Sequence, residues 1–376
     1  MTNSATASKG LDGVVAARTT LSDVKGDIGQ LIYCGYDINE LAGRVTYEEV
    51  VFLLQDGHLP NRKELSELKS TLSAERDLPQ GVIDIIRKLP TSTPPMHALR
   101  TIVSAFGCFD PECDDDSLDA QRHKAMRLIA RIPIGMAYFH RYRQGKTLLP
   151  PDHTLGEAAN FLYLIDGERP SAEKETTMEM CYVLHADHGM NASTFSARVT
   201  IATLSDMYSA ITTAIGTLKG PLHGGANEGV IKMLKEIDTL DKVDAYVADC
   251  LAQKKKIMGI GHRVYKTLDP RAPHLQRMAQ ILSAKLGEPK WIQMSERIAA
   301  IMLKEKHLNA NVDFYSATVY YSLGIPTDLF TPIFAIARTS GWTAHVLEQL
   351  ADNRLIRPQS EYVGPVGLKL TPLEQR

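Results

Sequence analysis

Three side chains that can transfer protons lie beside glycines or predicted helix ends. His223 precedes two glycines, His262 follows one, and Asp313 lies two residues after Asn311. Glycine lets the backbone approach a ligand closely, and a helix that begins just after it directs free N–H groups towards that ligand. Two imidazoles and one carboxylate in such surroundings suit general acid and base catalysis on a small anion.

Three arginines indicate the class of substrate. Arg271, Arg338 and Arg357 each carry a planar guanidinium that can pair a carboxylate through two hydrogen bonds. Because several such groups imply more than one carboxylate, we expect a polycarboxylate substrate if the three converge. Spacing along the sequence does not show convergence, and ordinary surface arginines are the alternative interpretation.

A metal site is the weaker alternative. His185 and His188 are three residues apart, so one helical face would present both imidazoles. Neither an HExxH pattern nor a nearby cysteine cluster accompanies them. Nucleotide sites have no better support, because the glycines between 220 and 229 lack the Gly-Lys-Ser/Thr of a P-loop. We therefore predict no metal ligands in this chain.

Most of the chain has apolar side chains at helical spacing. Thr46 with Glu49 and Asn61 with Glu64 form two capping boxes, each of which predicts the start of a helix. Apolar stripes at spacings of three and four predict further helices over residues 243–251 and 275–282. The best strand candidate is the short segment 31–33, and nothing resembles repeated βαβ units. The pattern predicts an all-α protein.

Composition and charge exclude several classes of protein. The 376 residues are 44% hydrophobic and 23% charged, which is typical of a globular chain. Lys+Arg 42 against Asp+Glu 44 leaves a net charge of -2, so no basic field is present to hold nucleic acid. No apolar run reaches the ~18 residues of a membrane helix, and the N-terminus lacks a signal-peptide pattern. Five scattered cysteines favour a reducing compartment. We expect a cytoplasmic protein without nucleic-acid or membrane partners.

One segment carries a specific resemblance. It opens on a glycine-flanked histidine and closes on Asp-Pro-Arg: Gly259-Ile260-Gly261-His262-Arg263-Val264-Tyr265-Lys266-Thr267-Leu268-Asp269-Pro270-Arg271. This segment resembles the signature of the citrate synthase family. Matching segments extend over nearly the whole chain: Gly35 to Ile38, His185 to His188, Pro221 to Asn227, Asn311 to Ser316, Arg338 to Trp342 and Asn353 to Pro358. The length resembles the shorter, dimeric bacterial and archaeal members.

The resemblance implies an acyltransferase of the citrate (Si)-synthase type. Such an enzyme condenses acetyl-CoA with oxaloacetate and water to give citrate and CoA, the first step of the tricarboxylic acid cycle. Asp313 would remove a proton from the acetyl methyl group, His223 would stabilise the resulting enol or enolate, and His262 would polarise the ketone. A methyl group next to a thioester is a very weak acid, so the developing oxyanion needs a positioned donor as much as the carbon needs a base.

The resemblance also implies the binding residues. Oxaloacetate would be held by His188, Arg271 and Arg338, with Arg357 reaching in from the other subunit of a homodimer. The implied CoA contacts are Ile257, Met258, Gly259, Ile260, Gly261 and Lys266. The CoA thioester is a substrate, and no metal or other cofactor is expected.

The family fold is all-α with two domains and an active site in the cleft between them. Carried onto this chain, residues 1–223 and 325–376 form the large, dimerising domain. Residues 224–324 form a smaller inserted domain that binds CoA and carries Asp313. A long helical segment over residues 196–218 would lie at the dimer interface, where its small side chains permit close packing.

Three other functions compete with this prediction. A 2-methylcitrate synthase would use the same catalytic residues with propionyl-CoA, and one methylene discriminates by only ~1 to 3 kcal/mol in an apolar pocket. A metal-dependent hydrolase would use His185 and His188 and would lose activity with a chelator. A non-catalytic helical binding protein would be unaffected by substitution of Asp313 or His262.

Overall fold

The computed structural model describes residues 8–11 and 13–376. The first seven residues and Asp12, which fall inside the predicted large domain, lie outside the described residues. The chain begins with a small antiparallel sheet in the order β1-β2-β3, formed by β1 (Ser22–Lys25), β2 (Gln30–Tyr33) and β3 (Tyr36–Asp37). Strand β2 confirms the predicted strand. The other two strands were not predicted: β1 carries two charged residues, Asp23 and Lys25, among its four, and β3 has only two residues.

Helices make up most of the remaining described chain. In order they are α1 (Ile38–Leu41), α2 (Tyr47–Asp56), α3 (Arg62–Ala74), α4 (Gln80–Lys88), α5 (Pro95–Cys108), α6 (Leu118–Arg143), α7 (Glu157–Asp166), α8 (Ala172–His185), α9 (Ala192–Ile201), α10 (Met207–Leu218), α11 (Ala226–Ile237), α12 (Val243–Ala252), α13 (Ala272–Leu286), α14 (Lys290–Lys306), α15 (Val312–Ser322) and α16 (Phe330–Ala351). Short 3-10 turns cover Lys9–Leu11, Leu240–Lys242, Thr327–Leu329 and Leu373–Gln375. The predicted all-α class is confirmed, with the small sheet as an addition.

Local sequence determines several of these boundaries. Both predicted capping boxes are formed at the starts of α2 and α3, where Thr46 and Asn61 pair with the glutamates three residues on. The two predicted apolar stripes lie within α12 and α13. Most of the stripe residues are buried, and Tyr246, Leu251 and Met278 are partly buried.

The prediction of one helical segment over residues 196–218 is wrong. Helix α9 ends at Ile201 and α10 begins at Met207, and between them Leu204 adopts a left-handed conformation with φ 62. Asp206 caps the new helix by accepting a hydrogen bond from the N–H of Ser209 at 2.8 Å. The two helices still pack closely against each other.

Helix α16 is the centre of the larger helical body. Nearly every residue from Phe330 to Val346 is buried, and the helix packs against α2, α6, α8, α9 and α10. A second group, α11 to α15, packs mainly within itself. His188, which follows α8 of the first group, and His262, which precedes α13 of the second, lie with their ring centroids 5.6 Å apart. No helix in the described ranges is both long enough and apolar enough to cross a membrane.

Candidate active site

The loop that carries His188 begins at the end of α8. That helix ends at His185, so the prediction that His185 and His188 share a helical face is wrong. Gly189, with φ 57, turns the chain, and its N–H donates to Oδ2 of Asp187 at 3.0 Å. Buried His345 lies 3.4 Å from the same carboxylate. The loop is therefore held by hydrogen bonds on both sides of His188.

His188 is buried at the centre of the candidate site. Its Nε2 lies 3.1 Å from the hydroxyl of Tyr265, and its ring centroid lies 5.6 Å from that of His262. Burial lowers the pKa of His188 well below its ordinary value, and the positive charges of Arg271 and Arg338 lower it further. At neutral pH this imidazole is uncharged and can donate one hydrogen bond.

His262 presents a defined tautomer. Its Nδ1 accepts hydrogen bonds from the backbone N–H groups of Val264 at 3.0 Å and Tyr265 at 3.1 Å. An imidazole nitrogen that accepts N–H groups carries no proton, so the proton of the neutral ring lies on Nε2. Burial, with help from Arg271, lowers the pKa of His262 to about 4. The ring is thus a neutral Nε2–H donor.

His223 is fixed in the opposite tautomer. The backbone N–H of Ser193 donates to Nε2 at 3.3 Å, and the Ser193 hydroxyl lies 2.8 Å from the same nitrogen. The proton of the neutral ring therefore lies on Nδ1. Burial, assisted by the charge of Arg338, lowers the pKa of His223 to about 4. Trp342 supports the arrangement by donating from its indole N–H to Ser193 Oγ at 3.2 Å.

Arg271 is buried against an aspartate two residues before it. Its Nε and Nη2 donate to the two carboxylate oxygens of Asp269 at 3.0 Å and 2.8 Å. Burial alone would raise the pKa of Asp269, but the adjacent guanidinium holds it below its ordinary value, so the pair is ionic. Asp269 belongs to the segment that resembles the family signature, but the sequence predicts no role for it.

Arg338 is a buried cation whose hydrogen bonding is incomplete. Its Nε donates to the carbonyl of His185 at 2.6 Å, and its guanidinium lies 4.8 Å from the ring centre of Phe334. Its Nη2 is buried and has no hydrogen-bond partner among the described residues. Burial lowers the pKa of Arg338 to about 10, which still leaves it charged at neutral pH. A buried, incompletely paired guanidinium is suited to binding an anion.

Asp313 lies in the first turn of α15. Asn311 caps this helix by accepting the N–H of Asp313 at 3.0 Å. Burial raises the pKa of Asp313 to about 6 even though Arg271 and Arg338 act in the opposite direction. A carboxyl group with this pKa is ionised at neutral pH and is a stronger base than an ordinary aspartate.

The glycine segment before His262 pairs with the chain that leads into Asp313. The N–H of Gly261 donates to the carbonyl of Asn309 at 2.8 Å, and the N–H of Asn311 donates to the carbonyl of Gly259 at 3.0 Å. Ile260 and Ala310 form an isolated antiparallel bridge. This pairing brings the loop of His262 next to the start of α15, which carries Asp313.

The predicted CoA residues surround this pairing. Ile257 and Ile260 are buried, Met258 is partly buried, and Lys266 is exposed. Two of the six, Gly261 and Lys266, line a cavity of about 240 Å³, together with His262 and Asn311 among others.

Arg357 is the predicted site residue that the single chain does not bring to the cluster. It lies exposed in the extended segment that follows α16.

The geometry does not support a metal site at His185 and His188. In residues 8–11 and 13–376, no group of three or more His, Cys, Asp or Glu side chains is arranged to hold a metal ion. His185 donates from Nδ1 to the carbonyl of Cys181 at 2.7 Å, and burial lowers its pKa to about 3.

Comparison with known proteins identifies the family. The family model for the citrate synthase C-terminal domain matches residues 10–359. The chain is 50% identical over 372 residues to citrate synthase 2 of Bacillus subtilis, covering 99% of this chain and 100% of that protein. It is 49% identical over 373 residues to the citrate synthase of Haloferax volcanii, covering 98% of each.

Solved structures agree with the sequence comparison. The crystal structure of citrate synthase from Thermotoga maritima matches with a TM-score of 0.88 and 40% identity, covering 98% of this chain and 99% of that one. The ternary complex of carboxymethyl coenzyme A and oxaloacetate with citrate synthase from Thermoplasma acidophilum matches with a TM-score of 0.92 and 34% identity, covering 98% and 99%.

Relatives named 2-methylcitrate synthase also match, including 2-methylcitrate synthase 1 of Corynebacterium glutamicum at 41% identity over 373 residues, covering 98% of each chain. They are more distant than the two citrate synthases above, which favours citrate synthase as the activity. The family predicted from the segment that ends at Arg271 is confirmed. The match over most of the chain shows that it belongs to the citrate synthase family of acyltransferases.

Proposed function

We propose that this chain condenses acetyl-CoA with oxaloacetate and water to release citrate and CoA. The observation that carries the proposal is the pair of fixed tautomers. His223 and His262 each have one ring nitrogen occupied by a backbone N–H, so each offers one proton to a ligand. Two neutral donors suit a reaction in which negative charge develops on two oxygens, the thioester carbonyl and the ketone.

Proton abstraction is assigned to Asp313. Its ionised carboxylate takes a proton from the acetyl methyl group while His223 Nδ1–H donates to the thioester oxygen, which becomes an enolate or enol. Burial lowers the pKa of His223 to about 4, so this ring acts at neutral pH as a neutral donor. A donor already positioned at the oxygen lowers the barrier without reorganisation.

The acceptor is activated from the other side. His262 Nε2–H donates to the ketone of oxaloacetate, while Arg271, Arg338 and His188 bind its carboxylates. Nη2 of Arg338 has no hydrogen-bond partner within residues 8–11 and 13–376, which supports this role because a bound carboxylate would supply one. Since the enolate is short-lived, the polarised ketone must already be in place when it forms.

The remaining parts of the proposal follow from the family resemblance. Two chains form a homodimer in which Arg357 of one subunit completes the oxaloacetate site of the other. Residues 224–324 form the small domain, and Ile257 to Gly261 with Lys266 bind CoA beside the 240 Å³ cavity. No metal or prosthetic cofactor takes part. Five free thiols agree with the reducing cytoplasm as its compartment.

A 2-methylcitrate synthase is the second candidate, because relatives with that name share about two-fifths of the sequence. The test is release of free CoA thiol that depends on oxaloacetate, with acetyl-CoA and propionyl-CoA measured in parallel. The proposal expects a higher kcat/KM for acetyl-CoA. A higher kcat/KM for propionyl-CoA would assign the second function, and release with neither thioester would refute both.

A further inference from the structure

The sheet at the start of the chain contacts the His188 loop. The hydroxyl of Ser22, the first residue of β1, donates to Oδ2 of Asp187 and accepts the N–H of Gly189 at 2.9 Å. From β2, the hydroxyl of Tyr33 donates to the carbonyl of Asp187 at 2.8 Å. Ser22 and Tyr33 are paired across the two strands, so one end of this hairpin holds both flanks of His188.

The turn at the other end contacts the loop that follows His262. The N–H of Lys266 donates to the carbonyl of Gly26 at 3.0 Å. A Cβ at Gly26 would overlap the carbonyl oxygen of Val264, and a Cβ at Gly29 would lie 2.7 Å from the carbonyl oxygen of Leu268. The neighbouring atoms are backbone, so they cannot rotate away.

A further contact lies close to Arg271. The side-chain oxygen of Asn39, in the helix after the sheet, lies 2.8 Å from Nε2 of His274. His274 is in α13, whose N-cap residue is Arg271. The N-terminal segment therefore contacts the chain on both sides of the Asp269–Arg271 pair.

We propose that the hairpin of residues 22–33 is a positioning element that sets the distance between the two loops carrying His188 and His262. This inference rests on the proposed function, in which both histidines bind the same oxaloacetate molecule. The ladder between β1 and β2 is a rigid spacer, because each strand residue advances the chain by about 3.3 Å in a fixed direction. None of the hairpin residues reacts with substrate. They act through the loops, and the glycines of the turn permit the close approach.

The test compares three alanine variants. Gly26→Ala and Gly29→Ala displace the loop after His262, whereas Gly57→Ala is the matched control. Gly29 and Gly57 have φ 67 and 80, so alanine costs similar backbone strain at both. A Cβ at Gly57, however, would have no atom of the described residues within 4 Å. The inference predicts that the KM for oxaloacetate rises about tenfold or more in the two hairpin variants, because small misplacements of binding groups are costly.

Two further readouts separate positioning from general damage. The KM for acetyl-CoA should change less than that for oxaloacetate, and circular dichroism should show Gly29→Ala as fully folded as Gly57→Ala at the assay temperature. Equal oxaloacetate KM values in Gly29→Ala and Gly57→Ala would overturn the inference.

A further variant, at the other end of the hairpin, keeps the inference testable if Gly26→Ala does not fold. Ser22→Ala removes the hydroxyl between Asp187 and Gly189 and should also raise the KM for oxaloacetate. An unchanged KM would overturn the inference. Wild-type enzyme without oxaloacetate-dependent CoA release would refute the proposed function, whereas an active wild type with unaffected variants would refute only the hairpin's role.

Discussion

The carboxylate of Asp269 accepts a hydrogen bond at 3.1 Å from the backbone N–H of Val312, the first residue of α15. The same carboxylate holds the guanidinium of Arg271. Asp269 therefore binds the first residue of the helix that carries Asp313, the proposed base, and also orients Arg271, which is proposed to bind oxaloacetate. One buried side chain thus contacts both Arg271 and the start of the helix that carries Asp313.

The pH dependence of the reaction follows from Asp313. Because burial raises its pKa to about 6, kcat/KM for acetyl-CoA should fall as the pH falls through this value, approaching tenfold per unit. Bound oxaloacetate adds negative charge near Asp313 and so raises the pKa of Asp313 further. The fall in kcat/KM therefore moves to higher pH, not to lower pH. His223 and His262, with pKa values of about 4, do not titrate in this range. A profile measured from pH 5 to 8 that stays flat below pH 7 would contradict the assignment.

Removal of the charge of Arg338 should weaken oxaloacetate binding. A hydrogen bond to a charged group contributes about 1.5–3 kcal/mol, so Arg338→Gln should raise the dissociation constant by roughly 10- to 100-fold. Arg297→Gln is the control, because Arg297 is exposed and pairs with exposed Asp244. Isothermal titration with oxaloacetate measures both variants. Unaltered affinity in Arg338→Gln, or an equal loss in the control, would remove Arg338 from the binding site.

Much of the site could be predicted from the sequence because its motifs are local. Glycines beside His223 and His262 and the cap before Asp313 are visible within a few residues. Ser193, which fixes the tautomer of His223, lies 30 residues away in sequence. No spacing rule reports such a tertiary contact. The break between α9 and α10 does have a local signal, because Asp206 is a favourable N-cap residue for α10.

The proposed role of Arg357 can be tested by mixing two inactive variants. Under the proposed function, Asp313→Asn and Arg357→Ala should each inactivate their own homodimer. In a mixed dimer, the subunit with intact Asp313 faces a partner with intact Arg357, so one complete site forms. Random co-assembly should then restore about one quarter of wild-type activity, because half of the dimers are mixed and each has one working site. If co-expression restores no activity, Arg357 does not act across the interface.

The raised pKa of Asp313 also has a consequence for stability. A carboxyl group whose pKa is higher in the folded state favours folding below its unfolded pKa, and this contribution is lost as the pH rises through about 6. At pH 7.5 the ionised side chain therefore lowers the free energy of unfolding. Asp313→Asn removes this charge and should raise the free energy of unfolding of the ligand-free protein by on the order of 1 kcal/mol. Urea unfolding at pH 7.5 measures the difference. A less stable variant at this pH would contradict the environment described for Asp313.

The most direct test of the account is turnover by Asp313→Asn beside wild type and the exposed control Asp244→Asn. The assay follows CoA thiol release from acetyl-CoA at saturating oxaloacetate, and titration reports oxaloacetate affinity separately. The account predicts that kcat falls by roughly 10²-fold or more in Asp313→Asn, with oxaloacetate affinity retained and the control unaffected. Turnover by Asp313→Asn within a few-fold of wild type would show that another group removes the methyl proton.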